Sequence, residues 1–362
     1  MKVANYKMIT LARESRGLLR KELSDLLGMS ASNITRIENG DISIDRSTIT
    51  KISNILNYPP SFFYQNEEQF NPDLGFYRKR KSICQRQLRK GEAMIDIDRI
   101  IVDRLIDGAE LTHSNLLDWD CETMGSPKIA AQHLRSMWKV PKGRIDNLSK
   151  LVDENGIIVI LKDFPSEKMD GYSMYTKRNS QPIIFVNRNF PIDRIRLTIA
   201  HELGHLVLHK NKIIYEGRDA EKEAFEFASE FLVPEREFLT YLDGKVDIQQ
   251  LITQKRYWRI SMHALVMHCQ RVGYISYNQA RYLYMQLAPH RKVEPYELPR
   301  DIETPFLYKM VIDAYLEDWT FSDLAKFLHL SVEDFKEKYF QSGTASNMKV
   351  IINSDKREAR TA

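Results

Sequence analysis

The chain has 362 residues, 43% of them hydrophobic and 28% charged, the composition of an ordinary globular protein with room for two or three domains and a sizeable core. No apolar run approaches the roughly eighteen residues of a membrane span. The N-terminus (MKVANYKMITLARESRG) lacks the apolar core of a secretory signal, and Cys84, Cys121 and Cys269 are too scattered for a disulfide framework or zinc-finger spacing, so free thiols and a cytoplasmic location are expected. A net charge of +4 is too mild to identify a nucleic-acid binder, so that case must rest on local pattern.

The first elements are short helices between frequent stops. Ile9, Leu11 and Ala12 share a helical face that ends at Gly17. Leu23, Leu26 and Leu27 repeat the pattern and Gly28 stops it. Ser30 is a good N-cap for a third helix, in which Ile34 and Ile37 point inward. Helix, tight glycine-containing turn and helix is the arrangement whose second helix enters the DNA major groove. The stretch LLRKELSDLLGMSASNITRIENG closely resembles the Cro/phage-repressor (XRE) type of helix-turn-helix, over roughly residues 6 to 66. That resemblance places Ala31, Ser32, Asn33, Thr35 and Arg36 on the recognition helix. Arg20 stands where the family usually has a phosphate-contacting glutamine. Ala31 stands where a base-reading glutamine is common, so no base preference carries over.

A turn-rich boundary, FNPDLG, follows. RKRKSICQRQLRK (Arg78 to Lys90) then carries seven cations and no acid, which suits a solvated helix face or a supplementary phosphate contact. Helical spacing continues through MIDIDRIIVDRLIDG, PKIAAQHLRSMW and NLSKLVDENG. Strand-like runs come next: IIVILKDF, GYSMYTK and the apolar PIIFVN.

PIDRIRLTIAHELGHLVLHK reads as one helix. His201 and His205 are four apart, so their imidazoles stack on one face and both can reach one metal ion. Glu202 stands beside the first histidine, completing the H-E-x-x-H pattern of metallopeptidases. A third ligand must come from elsewhere. The following helix, RDAEKEAFEFASEFLVP, opens with Glu221 and Glu223, and spacing does not choose between them. From about Ile129 to Tyr277 the chain resembles the ImmA/IrrE family of zinc metallopeptidases, through AAQHLRSMW, NLSKLVDENGIIVI, IIFVNRNFPIDRIRLTIAHELGHLVLH and EKEAFEFASEFLVP. The resemblance implies Zn2+ as cofactor, His201, His205 and Glu221 as ligands with Glu223 as runner-up, and Glu202 as the catalytic general base. His209 also matches a family position and is read as a helix-terminal histidine beside the site. One departure stands out: the family's Asn is Phe225 here, so a ligating histidine must be oriented by some other group. The strand at residues 182–187, just before the active helix, is expected to offer an edge to an extended substrate.

Beyond this, RYWRISMHALVMHCQRVGYISYNQARYLYMQL continues in helical spacing, with His263 and His268 five apart and therefore non-ligands. HRKVEPYELPRDIETP reads as a linker. WTFSDLAKFLHLSVEDF has helix-turn-helix-like spacing but is rich in acids, which favours packing or sensing over a second DNA reader.

The expected fold is α+β and mostly helical: a helix-turn-helix bundle at 1–68, a helical linker with a basic stretch at 69–126, a zincin-like metallopeptidase core with a small sheet at 127–290, a C-terminal helical module at 300–345 and a disordered tail at 346–362. The expected function is a DNA-binding transcriptional regulator, homodimeric on its operator. Its zinc peptidase would cleave a specific protein (a repressor, a partner or itself) in a stress, phage or mobile-element response. The alternative is a regulator whose peptidase-like domain is an inactive sensor or scaffold.

Overall fold

A computed structural model of the chain describes residues 3–67, 83–111, 114–209, 218–290, 294–341 and 351–352. It is an α+β protein, mostly helical. Four helices build the N-terminal bundle: α1 (Tyr6–Ser15), α2 (Arg20–Leu27), α3 (Ala31–Asn39) and α4 (Arg46–Leu56). The caps follow the local residues. Ser30 Oγ accepts from Asn33 N at 3.2 Å and Asp45 Oδ1 accepts from Thr48 N at 2.9 Å. Gly28 ends α2 at φ 66°, a conformation that costs a glycine little. Leu23, Ile34 and Ile37 are buried, but Leu26 is 58% exposed. The helical period left Leu26 and Leu27 equally eligible, and neighbouring helices cover only part of so short an element. Beneath the bundle, Glu38 accepts from Arg13 (Nε 2.5 Å, Nη2 3.0 Å) and from Arg20 Nε at 2.7 Å.

The stretch read as a linker contains α5 (Gln85–Asp107), a 23-residue helix with Ile97, Ile101, Val102 and Leu105 in the core. Of the basic run, residues 78–82 lie outside the described residues. Arg86 is committed to docking: it donates to both carboxylate oxygens of Glu22, at 3.0 and 2.9 Å, and to Gly17 O at 2.6 Å. The two-residue strand β1 (Ala109–Glu110) follows α5, and α6 (Pro127–Met137) and α7 (Leu148–Glu154) lead into the sheet.

Three strands, β2 (Ile158–Lys162), β3 (Gly171–Tyr175) and β4 (Pro182–Asn187), are ordered β2-β4-β3, with β4 parallel to β2 and antiparallel to β3. This corrects the expectation that residues 182–187 offer an edge to a substrate. β4 is central and ladder-paired on both sides. All six of its positions are buried, the first five of them an unbroken apolar run, which is the signature of a strand enclosed on both faces. One face of the sheet (Val159, Ile184, Val186) joins the core beneath α8 (Ile192–Leu208), and the other (Ile160, Phe185, Tyr172) joins a core shared with α5 and the N-terminal bundle.

After α8 come α9 (Ala220–Leu232), α10 (Glu235–Phe238), α11 (Ile248–Trp258), α12 (Met262–Arg271) and α13 (Tyr277–Leu287). The segment after α13 is an anchored strap rather than a free linker. Glu294 accepts from Lys255 Nζ at 2.9 Å, and buried Glu303 accepts from Ser149 N at 2.7 Å while paired to Arg196, which is itself fully buried. The C-terminal helices α14 (Leu307–Leu316), α15 (Phe321–Phe327) and α16 (Val332–Gln341) close onto both the sheet and the bundle. Asp153 accepts from the backbone of Leu307, Tyr315 donates to Leu105 O at 2.9 Å, and Arg16 pairs with Asp334 at 2.7 Å. Asp98 of α5 is held by Lys162 of β2 and Lys338 of α16. In the tail expected to be disordered, Ile351–Ile352 forms β5, antiparallel to β1; its other residues lie outside the described residues. No helix among the described residues is long and apolar enough to cross a membrane.

Glu303→Ala leaves the Arg196 guanidinium buried without its counter-charge, so urea unfolding should show a loss of about 3–5 kcal/mol, with Glu303→Gln losing less. A second expectation concerns acid. His268 is buried against Phe238, its Nδ1 accepts from Arg271, and burial pushes its pKa down from 6.5 to about 3. The unfolded chain binds that proton more readily, so His268 favours folding above pH 6.5 and opposes it increasingly as pH falls toward about 3. Melting curves across this range should show a shallower acid limb for His268→Gln than for the natural chain.

Candidate functional site

The candidate metal centre is built where α8, α9 and β3 meet. Apolar residues around the H-E-x-x-H segment (Ile199, Ala200, Leu203, Leu206, Val207) are all buried, which fixes the rotation of α8 and leaves no freedom in where its polar residues emerge. Gly204, inside the motif, is the point of closest approach to α9. A Cβ there would lie 3.2 Å from both Ala224 Cα and Ala224 O, so a side chain would push the two helices apart. That approach carries the first turn of α9 over the histidines.

The ring Nε2 atoms of His201 and His205 face each other at 3.1 Å. Glu221 reaches both, Oε2 at 3.5 Å from His201 and Oε1 at 3.4 Å from His205. The donor atoms of these three residues lie within 4.8 Å of one another, a set that can hold one metal ion. The two acids that spacing left undecided part company here. Glu223 turns the other way, 2.9 Å from His209 Nε2 and held by Arg218. Burial lowers the pKa of His205 and takes that of His209 down to about 4, so both imidazoles are neutral near neutral pH, as metal ligation requires of a histidine. Burial alone would raise the pKa of Glu221, but its contacts with His201 and His205 outweigh it and hold the carboxyl well below the usual carboxylate range.

Glu202 faces β3. It is 1% exposed, accepts from Ser173 Oγ at 2.7 Å, and borders the same cleft as His201. β3 can come this close because Gly171 has no side chain: a Cβ there would meet Thr198 Cγ2 at 2.5 Å. Ser173 is not legible in the sequence, since nothing local marks a serine on an outer strand as a partner for a helix residue 29 positions on. The cleft has a volume of about 1040 Å³ and runs from His201, Glu202 and Phe225 to Met267, Tyr284 and Leu298. Phe225 lies against His201, ring centroids 4.3 Å apart. His263 is bound to Glu294 and His268 to Arg271, both away from the histidine–glutamate cluster.

In the N-terminal bundle, Ala31, Ser32 and Arg36 on α3 are exposed, and Asn33 and Thr35 are half-buried. Thr35 Oγ1 is used within the helix, donating to Ala31 O at 3.0 Å. Arg20 spends its Nε on Glu38, with 47% of its side chain still exposed.

Residues 9–63 match the family model described as helix-turn-helix, and residues 152–270 match that described as the IrrE N-terminal-like domain. The chain is therefore a fusion of an XRE-type helix-turn-helix, a DNA-binding module, with an ImmA/IrrE-like domain of metallopeptidase type. No curated protein matches the chain.

On duplex DNA, Arg36→Ala should weaken binding and reduce the slope of log K against log salt by about 1, the mark of one lost phosphate contact. An unchanged slope in fluorescence-anisotropy titrations would exclude Arg36 from the phosphate interface.

Proposed function

We propose that this protein is a DNA-bound transcriptional regulator, homodimeric on its operator, whose domain after the helix-turn-helix is a zinc-dependent metallopeptidase acting on a specific protein: a repressor, a partner or itself. The setting would be a stress, phage or mobile-element response. The observation that carries this reading is the convergence of His201, His205 and Glu221, with His201 and Glu202 both bordering one large cleft.

Two imidazole nitrogens and one carboxylate oxygen are the donor set of catalytic zinc sites that keep a position open. His201, His205 and Glu221 would hold the ion, which when bound supplies Lewis acidity and an acidified water. Glu202 would act as the general base, taking a proton from that water and returning it to the leaving amine. Ser173 would orient Glu202 by donating to Oε2. An extended substrate would enter past Asp170, which borders the cleft at the head of the outer strand β3. Exposed residues of α3 (Ser32 and Arg36, with Asn33 and Thr35 behind them) would meet DNA, and Arg20 would reach phosphate with the part of its guanidinium that Glu38 does not use.

The second reading, a regulator whose peptidase-like domain senses or scaffolds without cutting, is favoured by one observation. Phe225 packs on His201, and the His201 Nδ1 is buried with no hydrogen-bond partner among the described residues. A ligand without such a partner is held less firmly.

Metal analysis of the purified full chain should find about one zinc per chain, lost in His201→Ala and in Glu221→Ala but kept in Glu202→Gln. In cells, Glu202→Gln should abolish cleavage of a partner encoded nearby while DNA binding persists. A metal-free natural chain would sink the zinc site, and regulation unaffected by Glu202→Gln would leave the scaffold reading standing.

A further inference from the structure

The turn of α8 beyond the H-E-x-x-H segment ends on a third histidine that the proposed chemistry leaves without a task. His209 lies four residues past His205, which puts it on the same helix face, and it is 1% exposed. Its Nδ1 is 3.0 Å from Nδ1 of His205, and its Nε2 is 2.9 Å from Glu223 Oε2. Arg218 donates to both oxygens of the same carboxylate, Nε to Oε1 at 2.9 Å and Nη2 to Oε2 at 2.7 Å. Four side chains thus form one line running away from the metal-facing atom of His205: His205, His209, Glu223, Arg218.

The proton positions along this line follow from one requirement. Two ring nitrogens at hydrogen-bond distance need one proton between them. If His205 presents a bare Nε2 toward His201 and Glu221, its proton sits on Nδ1 and points at His209. His209 Nδ1 is then an acceptor, so the His209 proton sits on Nε2, where Glu223 takes it. Glu223 is ionised, and Arg218 holds it in place with charge-assisted bonds. Every donor meets an acceptor in this arrangement, and no member needs a second state. His201 is held quite differently, by the ring of Phe225 against it.

We infer that His209, Glu223 and Arg218 are positioning residues for the metal centre, fixing the tautomer and ring plane of His205 so that Nε2 is presented as a ligand. His209 is not itself a ligand, because both of its nitrogens are used along the line. The relay gives Glu223, the acid that spacing could not separate from Glu221, a task of its own. The inference rests on the metal-site reading above and says how that site is kept in register.

The test uses the full chain and two readouts besides activity. Chelator-competition titrations with Zn2+ should show His209→Ala and Glu223→Ala binding about 10- to 100-fold more weakly than the natural chain. At saturation they should still take one ion, with the visible spectrum of the Co2+-substituted protein unchanged. His209→Gln, whose carbonyl accepts from His205 and whose amide donates to Glu223, should recover most of the affinity. Nitrogen-15 NMR should find the His205 proton on Nδ1 and the His209 proton on Nε2, with or without metal. If His209→Ala alters the Co2+ spectrum and loses zinc as completely as His201→Ala, His209 is a ligand and the inference is wrong. Unchanged zinc affinity in His209→Ala also overturns it, because a merely structural histidine would move the melting temperature alone. Should the natural chain bind no zinc, the metal-site reading falls and the tautomers alone judge the relay. The reverse tautomer pattern refutes it.

Discussion

The close crossing of α8 and α9 at Gly204 is the constraint on which the candidate centre depends. A helix delivers two imidazoles to one point through its own period, but it cannot deliver a third donor from the same face without distortion. That donor has to come from another element, within a few ångströms. The missing side chain at Gly204 lets the α9 backbone, at Ala224, reach van der Waals distance of α8. Glu221, three residues earlier on α9, is thereby carried to 3.4–3.5 Å from both histidine nitrogens. The buried apolar residues on either side hold the helix against rotation, so the geometry is a consequence of packing and not of the polar contacts themselves.

The same logic extends outward. β3 approaches α8 through a second glycine, Gly171, and brings Ser173 to Glu202. The sheet's other face is covered by α14 and α5, and α5 in turn carries the helix-turn-helix bundle through a continuous apolar core. Asp98, between Lys162 of the sheet and Lys338 of the last helix, is an ionic tie where the C-terminal helices meet both. Arg16–Asp334 is a second. Breaking the buried Asp98–Lys162 pair would be costly, whereas Arg16–Asp334 is partly exposed and contributes less.

Much of this was legible in residue order. Helix starts and stops in the N-terminal bundle follow Ser30, Gly28 and Gly17, whose preferences act through bonds only a few residues long. The H-E-x-x-H spacing and the three strand runs were equally local signals. Less visible was anything that depends on what packs against what. Leu26 shares its periodicity with buried neighbours yet faces solvent. The strand at 182–187 is central because β2 and β3 pair on either side of it, and an apolar run does not reveal its number of partners. The helix expected in the segment before the peptidase-like domain is present as α5, but its burial in the core was not legible, nor was the anchoring of the later strap by Glu294 and Glu303, since charge-rich composition does not reveal where a buried acid will find its partner.

By itself, then, the sequence determined the local elements: the helix that carries Ser32, Asn33, Thr35 and Arg36, and the helix that stacks His201 on His205 with Glu202 alongside. These are set by a 3.6-residue period and by caps, and need no partner to be read. Spacing left Glu221 and Glu223 open and the family resemblance pointed to Glu221; tertiary structure brings Glu221 to the histidines and decides what orients Glu202 and where His209 and Glu223 turn. Glu221 and Glu223 sit two residues apart at the start of one helix, so they project in different directions. Only the angle and closeness with which α9 crosses α8 send one to the cluster and the other to His209 and Arg218.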